Sequence, residues 1–277
     1  MFIFSFLMGL IMLTTDMQAV SNQQSWLYQD QPITQINGQL EVTTDVVQRI
    51  YFIRHGESAL NGTATAGKGV RVIQGKNLGV PLTEKGIHQA EMLAAELKKY
   101  LPSEGLYVIT SSHAKRAMQT AEKIYEELKP AVHCSFGKQY PGTAEQSHGE
   151  WEGRPRDYAY QRVMDAWNTL SASEKFSRPK FEGGESPKQV RERALVDLQQ
   201  MVEEYKGKTI IHVIHCNALN ALALTWSGLA DALPTEEGTE LPAVEFANCD
   251  MLLVEMPLEG KIYEAKNKMH IRLLPSN

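Results

Sequence analysis

The chain's 277 residues are 43% hydrophobic and 22% charged, with no repeat or low-complexity tract: the profile of an ordinary globular protein with room for one sizeable domain or two small ones. A net charge of -5 and an isoelectric point near 5.9 exclude a general binder of nucleic acid or anionic membranes, because no basic excess offsets a polyanion's repulsion, so any anion site must be local. The three cysteines, Cys134, Cys216 and Cys249, are an odd number without paired spacing, and show neither a zinc cage nor a disulfide framework.

The opening "MFIFSFLMGLIML" is apolar over 13 residues, short for a bilayer span but of the length of a signal-peptide core, and "MQAV" offers a small-residue cleavage site after Ala19. Residues 1–19 are therefore expected to be a signal peptide, with the mature domain exported or periplasmic and not stably inserted in a membrane. No Lys or Arg precedes the apolar run, which leaves an uncleaved anchor or a buried N-terminal segment, and with the latter a cytoplasmic protein, as the alternative. Residues 20–45 are polar and lack apolar periodicity, and read as an extended lead-in to a domain over 46–277.

From Val46 onward, apolar runs of strand length alternate with helical patterns. The runs are "VQRIYFI", "LYVIT" at 106–110, "AVHCSF" at 131–136, "TIIHVIH" at 209–215 and "DMLLVEM" at 250–256. Continuous apolarity suits strands covered on both faces. Between them, Ile87, Ala90, Leu93, Ala94, Leu97 and Leu101 share one helical face behind Thr83 as N-cap, and Ala114, Ala117, Ala121, Ile124 and Leu128 share another. A third helix opens at Ser186-Pro187, carries Val190, Ala194, Leu198 and Val202 inward, and stops at Gly207. The expectation is an α/β three-layer sandwich with a mostly parallel central sheet and helices on both faces. Residues 150–186 fit neither strand nor core helix and are expected to form a small inserted cap; "GKIYEAKNKMHIRLL" reads as strand-turn-strand at an edge.

Open parallel sheets bind ligands beyond the carboxyl ends of their strands. Here one strand runs into Arg54-His55-Gly56 and another into His215, while Arg116 falls in the first turn of a helix, where amides and dipole favour an anion. Two arginines and two histidines converging there describe a phosphate site, since guanidinium forks match phosphate oxygens. His212, three residues before His215, points to the opposite face and is expected to be a satisfied core histidine rather than a metal ligand.

These residues also carry a resemblance. "RHGESALN" is similar to the RHG signature of the histidine phosphatase superfamily, the phosphoglycerate-mutase-like fold, and the likeness continues in order through "PLTEKGIHQAE", "SSHAKRAMQTAE", "AEQSHGEWEGR", "GGES" and "VIHCNAL". It implies a metal-independent phosphomonoesterase that needs no cofactor and acts on a small-molecule or phosphorylated substrate. His55 would be the nucleophile, Glu145 the general acid and base, and Arg54, Arg116 and His215 the groups that hold the phosphoryl oxygens. Gly56, lacking a Cβ, would let the backbone turn and the phosphoryl group approach. Asn61 would contact the phosphate, and Glu57 would support the surrounding shell. The chain departs from the family pattern at Ser112-His113-Ala114, where Ser-Pro-Leu is usual, and at His215-Cys216-Asn217, where His-Gly-Gly is usual.

A cysteine phosphatase needs an arginine six residues after its thiol, and Leu222 stands there after Cys216; no Asp-x-Asp pair, P-loop or HExxH occurs either. A phosphoglycerate mutase-type transferase and an inactive phosphate-binding module remain the alternatives to a hydrolase. Glu150 and Glu152 stand in reserve should Glu145 be a mere loop carboxylate. Trp151, Tyr158, Tyr160 and Trp167 either line a substrate pocket or pack in a core. Oligomeric state is not written in a single sequence.

Overall fold

A computed structural model describes residues 47–62 and 70–271; the candidate signal peptide and the polar lead-in lie outside the described residues. Six strands form one sheet: β1 (Val47–Arg54), β2 (Leu106–Ser111), β3 (His133–Gln139), β4 (Thr209–Ile214), β5 (Met251–Pro257) and β6 (Lys266–Ile271). Their order is β3-β2-β4-β1-β5-β6, with the first four parallel and the last two antiparallel to their neighbours. The sheet is thus mostly parallel.

Side-chain alternation along β1 sorts the two faces. Ile50 and Phe52 enter a layer built on α5 (Pro187–Glu204) and α6 (Cys216–Trp226), while Tyr51 and Ile53 enter a layer built on α1 (Glu84–Leu97) and α2 (Lys115–Leu128). All four are at most 5% exposed, and each contributes about 1.5–3 kcal/mol of apolar burial. Thr83 caps α1 through Gly86 N, and Ser186 opens α5 in a reciprocal capping box with Gln189.

Three elements differ from the sequence expectation. Helix α6 has no exposed position, its two asparagines being partly buried themselves, so it carries no solvated face opposite an apolar stripe to mark it. The 150–186 segment is largely helical, with α3 (Arg156–Thr169) and α4 (Ala172–Ser177). Among the described residues the C-terminal stretch holds one edge strand. Ile262 turns inward in a 3-10 turn instead, where its side chain is buried and its carbonyl accepts from Trp226 Nε1 at 3.0 Å.

Gly56 has a packing purpose that the sequence does not show. A Cβ built there would stand 2.4 Å from the carbonyl oxygen of Gly86 in the first turn of α1, and a Cβ on Gly86 would stand 2.0 Å from the carbonyl of Glu57. The two glycines allow the helix start to dock directly on the chain leaving β1. Gly56 therefore serves backbone packing, and its φ is not in the left-handed region. Gly56→Ala and Gly86→Ala are each expected to cost about 1–3 kcal/mol or more in urea unfolding. Gly79→Ala, whose Cβ would meet nothing closer than 3.9 Å, is expected to stay within about 0.5 kcal/mol.

Candidate active site

Three parallel strands lying side by side fix the centre of the site. Arg54 is registered with Ile214, and Ser111 with Val213, so the residues that follow, His55, His215 and Ser112, emerge together at the carboxyl end of the sheet. The rings of His55 and His215 lie 5.0 Å apart, and Ser112 Oγ is 2.6 Å from His215 Nε2. Ser112 Oγ also accepts from Ala114 N at 3.5 Å. The other ring nitrogen of His215, Nδ1, is buried without a hydrogen-bond partner among the described residues.

His55 is held from several sides. Its Nδ1 faces the Gly56 carbonyl at 2.7 Å, Asn248 Nδ2 donates to its own carbonyl at 2.8 Å, and Arg116 Nε donates to its Nε2 at 3.2 Å. Arg116 has no exposed surface. Its other nitrogens donate to the carbonyls of Asn77 at 2.6 Å and Gly75 at 3.2 Å, and the Gln74 amide, turned with its oxygen inward, accepts from Nε and Nη2. Burial draws the guanidinium down to about 10 while Glu145 opposes the shift, so it remains a cation at neutral pH. Arg54 lines the cavity, donating through Nη1 to the Phe246 carbonyl, with its Nε unpartnered among the described residues.

Burial, then the two guanidinium groups, hold His55 well below the usual histidine pKa; burial, Arg116 and His55 do the same to His215. Both rings are neutral at pH 7. His212 lies apart from them, buried between Thr110 Oγ1 at 2.8 Å and Thr143 Oγ1 at 3.0 Å, and burial lowers it to about 3.

The expected anion-binding helix end lies elsewhere than the sequence suggested. At the start of α2 the Lys115 amide is taken by the Leu78 carbonyl. At the start of α6, the amides of Asn217 and Ala218 donate to Glu145 Oε1 at 3.1 and 3.3 Å, and Gln146 N adds a third bond at 2.8 Å. The anion that occupies this helix terminus is the chain's own Glu145. Its loop is braced by Arg193 on α5, which donates to the carbonyls of Gly142, Ala144 and Glu145 and forks onto both oxygens of Glu185. Glu185 in turn accepts from Ser147 N at 2.9 Å.

A cavity of about 440 Å³ opens onto these groups, lined by Arg54, His55, Asn61, Glu145 and, on its outer wall, Arg71 and Arg156. Arg116 and His215 stand behind the wall against His55, not in it. Asn61 Oδ1 is engaged by Ser58 N at 2.6 Å and Ser58 Oγ at 3.0 Å. Glu57 faces away, accepting from Thr83 Oγ1 at 3.0 Å beside Lys85. Neither reserve acid competes with Glu145. Glu152 is committed to Lys76 N and His148 N at 2.9 Å each, and Glu150 is exposed. Of the four aromatics, Tyr160 and Trp167 line cavities, while Trp151 and Tyr158 do not. Trp151 instead stacks near Phe181. Sequence reading gave no role to Ser112, Arg193 or the Gln74-Gly75-Asn77 loop, although Ser112 lay within the block "SSHAKRAMQTAE" and Glu185, the partner of Arg193, within "GGES". Among the described residues no group of three or more His, Cys, Asp or Glu side chains is placed to hold a metal ion.

The family model described as "Histidine phosphatase superfamily (branch 1)" matches residues 50–257. The chain is 30% identical over 178 residues to the metal-independent phosphoserine phosphatase of Arabidopsis thaliana, covering 64% of this chain and 68% of that one. It is 28% identical over 174 residues to phosphoserine phosphatase 1 of Hydrogenobacter thermophilus, covering 63% and 74%. Among solved structures, a mycobacterial glucosyl-3-phosphoglycerate phosphatase superposes with a TM-score of 0.57 at 20% identity, covering 80% of this chain and 97% of that one. The phosphoglycerate mutase of Bacillus anthracis does so with 0.59 at 19%, covering 80% and 92%. With three-quarters of its length inside the family pattern and the paired histidines at the ends of adjacent strands, the chain belongs to the histidine phosphatase superfamily.

Proposed function

We propose that the protein hydrolyses phosphomonoesters without a metal, through a phosphohistidine formed on Nε2 of His55. The contacts of one ring carry this reading. Nδ1 gives its proton to the Gly56 carbonyl, which leaves the Nε2 lone pair as the nucleophile beside Arg116, in a ring that burial and two guanidiniums keep neutral. Nε2 forms the bond to phosphorus as the ester P–O bond breaks, and Glu145 passes a proton to the departing alcohol. Glu145 then takes a proton from water, whose oxygen attacks phosphorus; the P–N bond breaks, its electron pair returns to His55, and phosphate leaves. Arg54, on the cavity wall, stabilises the phosphoryl oxygens, at about 2.7–4 kcal/mol for one preorganised donor elsewhere, while Arg116 and His215 support His55 from behind that wall. Asn61 adds a contact on the cavity wall, and residues 150–186 act as a cap. The phosphoserine phosphatases among the relatives support hydrolysis over mutase-type transfer.

Arg193 and Glu185 act through the loop that presents Glu145. Burial pushes Glu185 up, but the Arg193 fork and the Ser147 amide outweigh it and hold the carboxyl at about 2, below its ordinary 4.5. A carboxyl depressed in the folded state stabilises above its unfolded pKa and loses that contribution as pH falls.

His55→Ala is expected to abolish p-nitrophenyl phosphate turnover, and EDTA to leave the wild type unchanged; activity lost to EDTA would overturn the reading. Glu145→Gln is expected to slow simple alkyl phosphates by about 10²–10⁴-fold. It should slow p-nitrophenyl phosphate less, because that leaving group departs without a proton, and equal losses on both would remove Glu145 from the acid role. Urea midpoints are expected to fall between pH 4.5 and about 2 in the wild type, and to fall less steeply in Glu185→Gln.

A further inference from the structure

His212 is fully buried beside the layer built on α5 and α6, with the rings of Phe52 at 5.9 Å and Tyr140 at 6.1 Å, both edge-on. For packing alone an apolar side chain would serve here, because a buried imidazole is costly unless its ring nitrogens find partners. Both do. Nδ1 meets Thr110 Oγ1 on β2 at 2.8 Å, and Nε2 meets Thr143 Oγ1 at 3.0 Å.

The far end of this chain of contacts fixes its direction. Thr143 Oγ1 lies 2.7 Å from the Tyr140 carbonyl, which can only accept, so the single hydroxyl proton goes there. Thr143 Oγ1 therefore accepts from His212 Nε2, and in the neutral ring Nδ1 is left to accept from Thr110. The bonds run one way, from β2 through β4 into the 3-10 turn Pro141–Thr143.

That turn leads directly into Glu145. Arg193 grips the loop from α5 through the carbonyls of Gly142, Ala144 and Glu145, and His212 grips it from the sheet through the Thr143 side chain. Strand β4 and helix α6 are consecutive, so Glu145 is referred to one unit of the fold twice over: its loop to β4, and its carboxylate to the Asn217 and Ala218 amides that open α6. The same strand delivers His215 to His55. Resting on the hydrolytic reading above, we propose that His212 and Thr143 are positioning residues for Glu145, tying the acid's loop to the strand that sets the paired histidines. They touch neither substrate nor reacting atoms. Their hydrogen bond aims the carboxyl, so its loss impairs proton transfer to the leaving group and not the attack of His55.

Thr143→Val removes the hydroxyl at nearly constant shape, and Thr143→Ser keeps it. The readout is kcat on a simple alkyl phosphate divided by kcat on p-nitrophenyl phosphate, since only the first needs a proton from Glu145. Thr143→Val is expected to lower this ratio by about tenfold or more, as displacement of a catalytic group does, and Thr143→Ser to stay within about twofold of wild type. A purely structural role would lower stability and both rates together, so a ratio unchanged in Thr143→Val overturns the proposal. Turnover of p-nitrophenyl phosphate by the wild type separates this failure from failure of the hydrolytic reading. Should that turnover be absent, two measurements that need no activity decide. Nitrogen-15 NMR of the His212 ring is expected to place its proton on Nε2. The Asn217 and Ala218 amides, which lie in a first helical turn without intrahelical acceptors, are expected to exchange about tenfold faster in Thr143→Val relative to β1 amides, and at the wild-type rate in Thr143→Ser. A proton on Nδ1, or exchange unchanged in Thr143→Val, overturns the positioning.

Discussion

Five parallel Cα pairs, from Ile50 with Ile210 to Arg54 with Ile214, decide where the two central histidines meet. Side chains on a strand alternate, so a slip of one residue would turn Ile50 and Phe52 toward the wrong helical layer and carry His55 out of line with His215. The same hydrophobic sorting that stabilises the sheet therefore enforces the position of the His55 ring. Strand β2 extends the lock by one more neighbour, since Ser112 follows a residue registered with Val213 and reaches His215 Nε2. No separate device is needed to align the two imidazoles.

Around that point the protein gathers positive charge in a chain of net charge -5. Arg116 is wholly buried, and such a cation survives only because the carbonyls of Gly75 and Asn77 take its protons. Once satisfied it cannot swing away, so its field acts on His55 at fixed distance. Keeping both imidazoles neutral is the result, and a neutral imidazole still has the lone pair that a nucleophile requires. The negative partner, Glu145, is tied to the amides of α6 rather than to these arginines, which leaves the guanidinium field available to an incoming dianion.

Much of this was legible in the sequence wherever periodicity or an ordered motif carried it. The apolar runs of β1 and β4, the stripes of α1, α2 and α5, and the caps at Thr83 and Ser186 all announce themselves locally. Helix α6 does not, because a helix buried on every side has no stripe to read. Gly56 was noticed for the right reason, the missing Cβ, but the neighbour that demands it, Gly86, lies thirty residues away, and such a contact exists only in three dimensions. Ser112, Gln74 and Arg193 are of the same kind, ordinary polar residues whose roles come from partners distant in sequence. Tyr160 and Trp167 were indistinguishable from Trp151 and Tyr158 until the fold turned the first two to cavities, packed Trp151 beside Phe181 and left Tyr158 on the surface.

The bracing of Glu145 carries a consequence for how such an enzyme changes over time. Its carboxylate is fixed by α6 and its loop by Arg193 on α5, both part of the layer packed on the sheet. A second cavity, adjoining that of His55, takes one wall from the same α6, through Asn217, Asn220, Ala221 and Leu224, and another from Tyr160 and Trp167 on α3. Change confined to the α3 wall can therefore reshape that cavity while the α6 wall and the setting of Glu145 stay fixed.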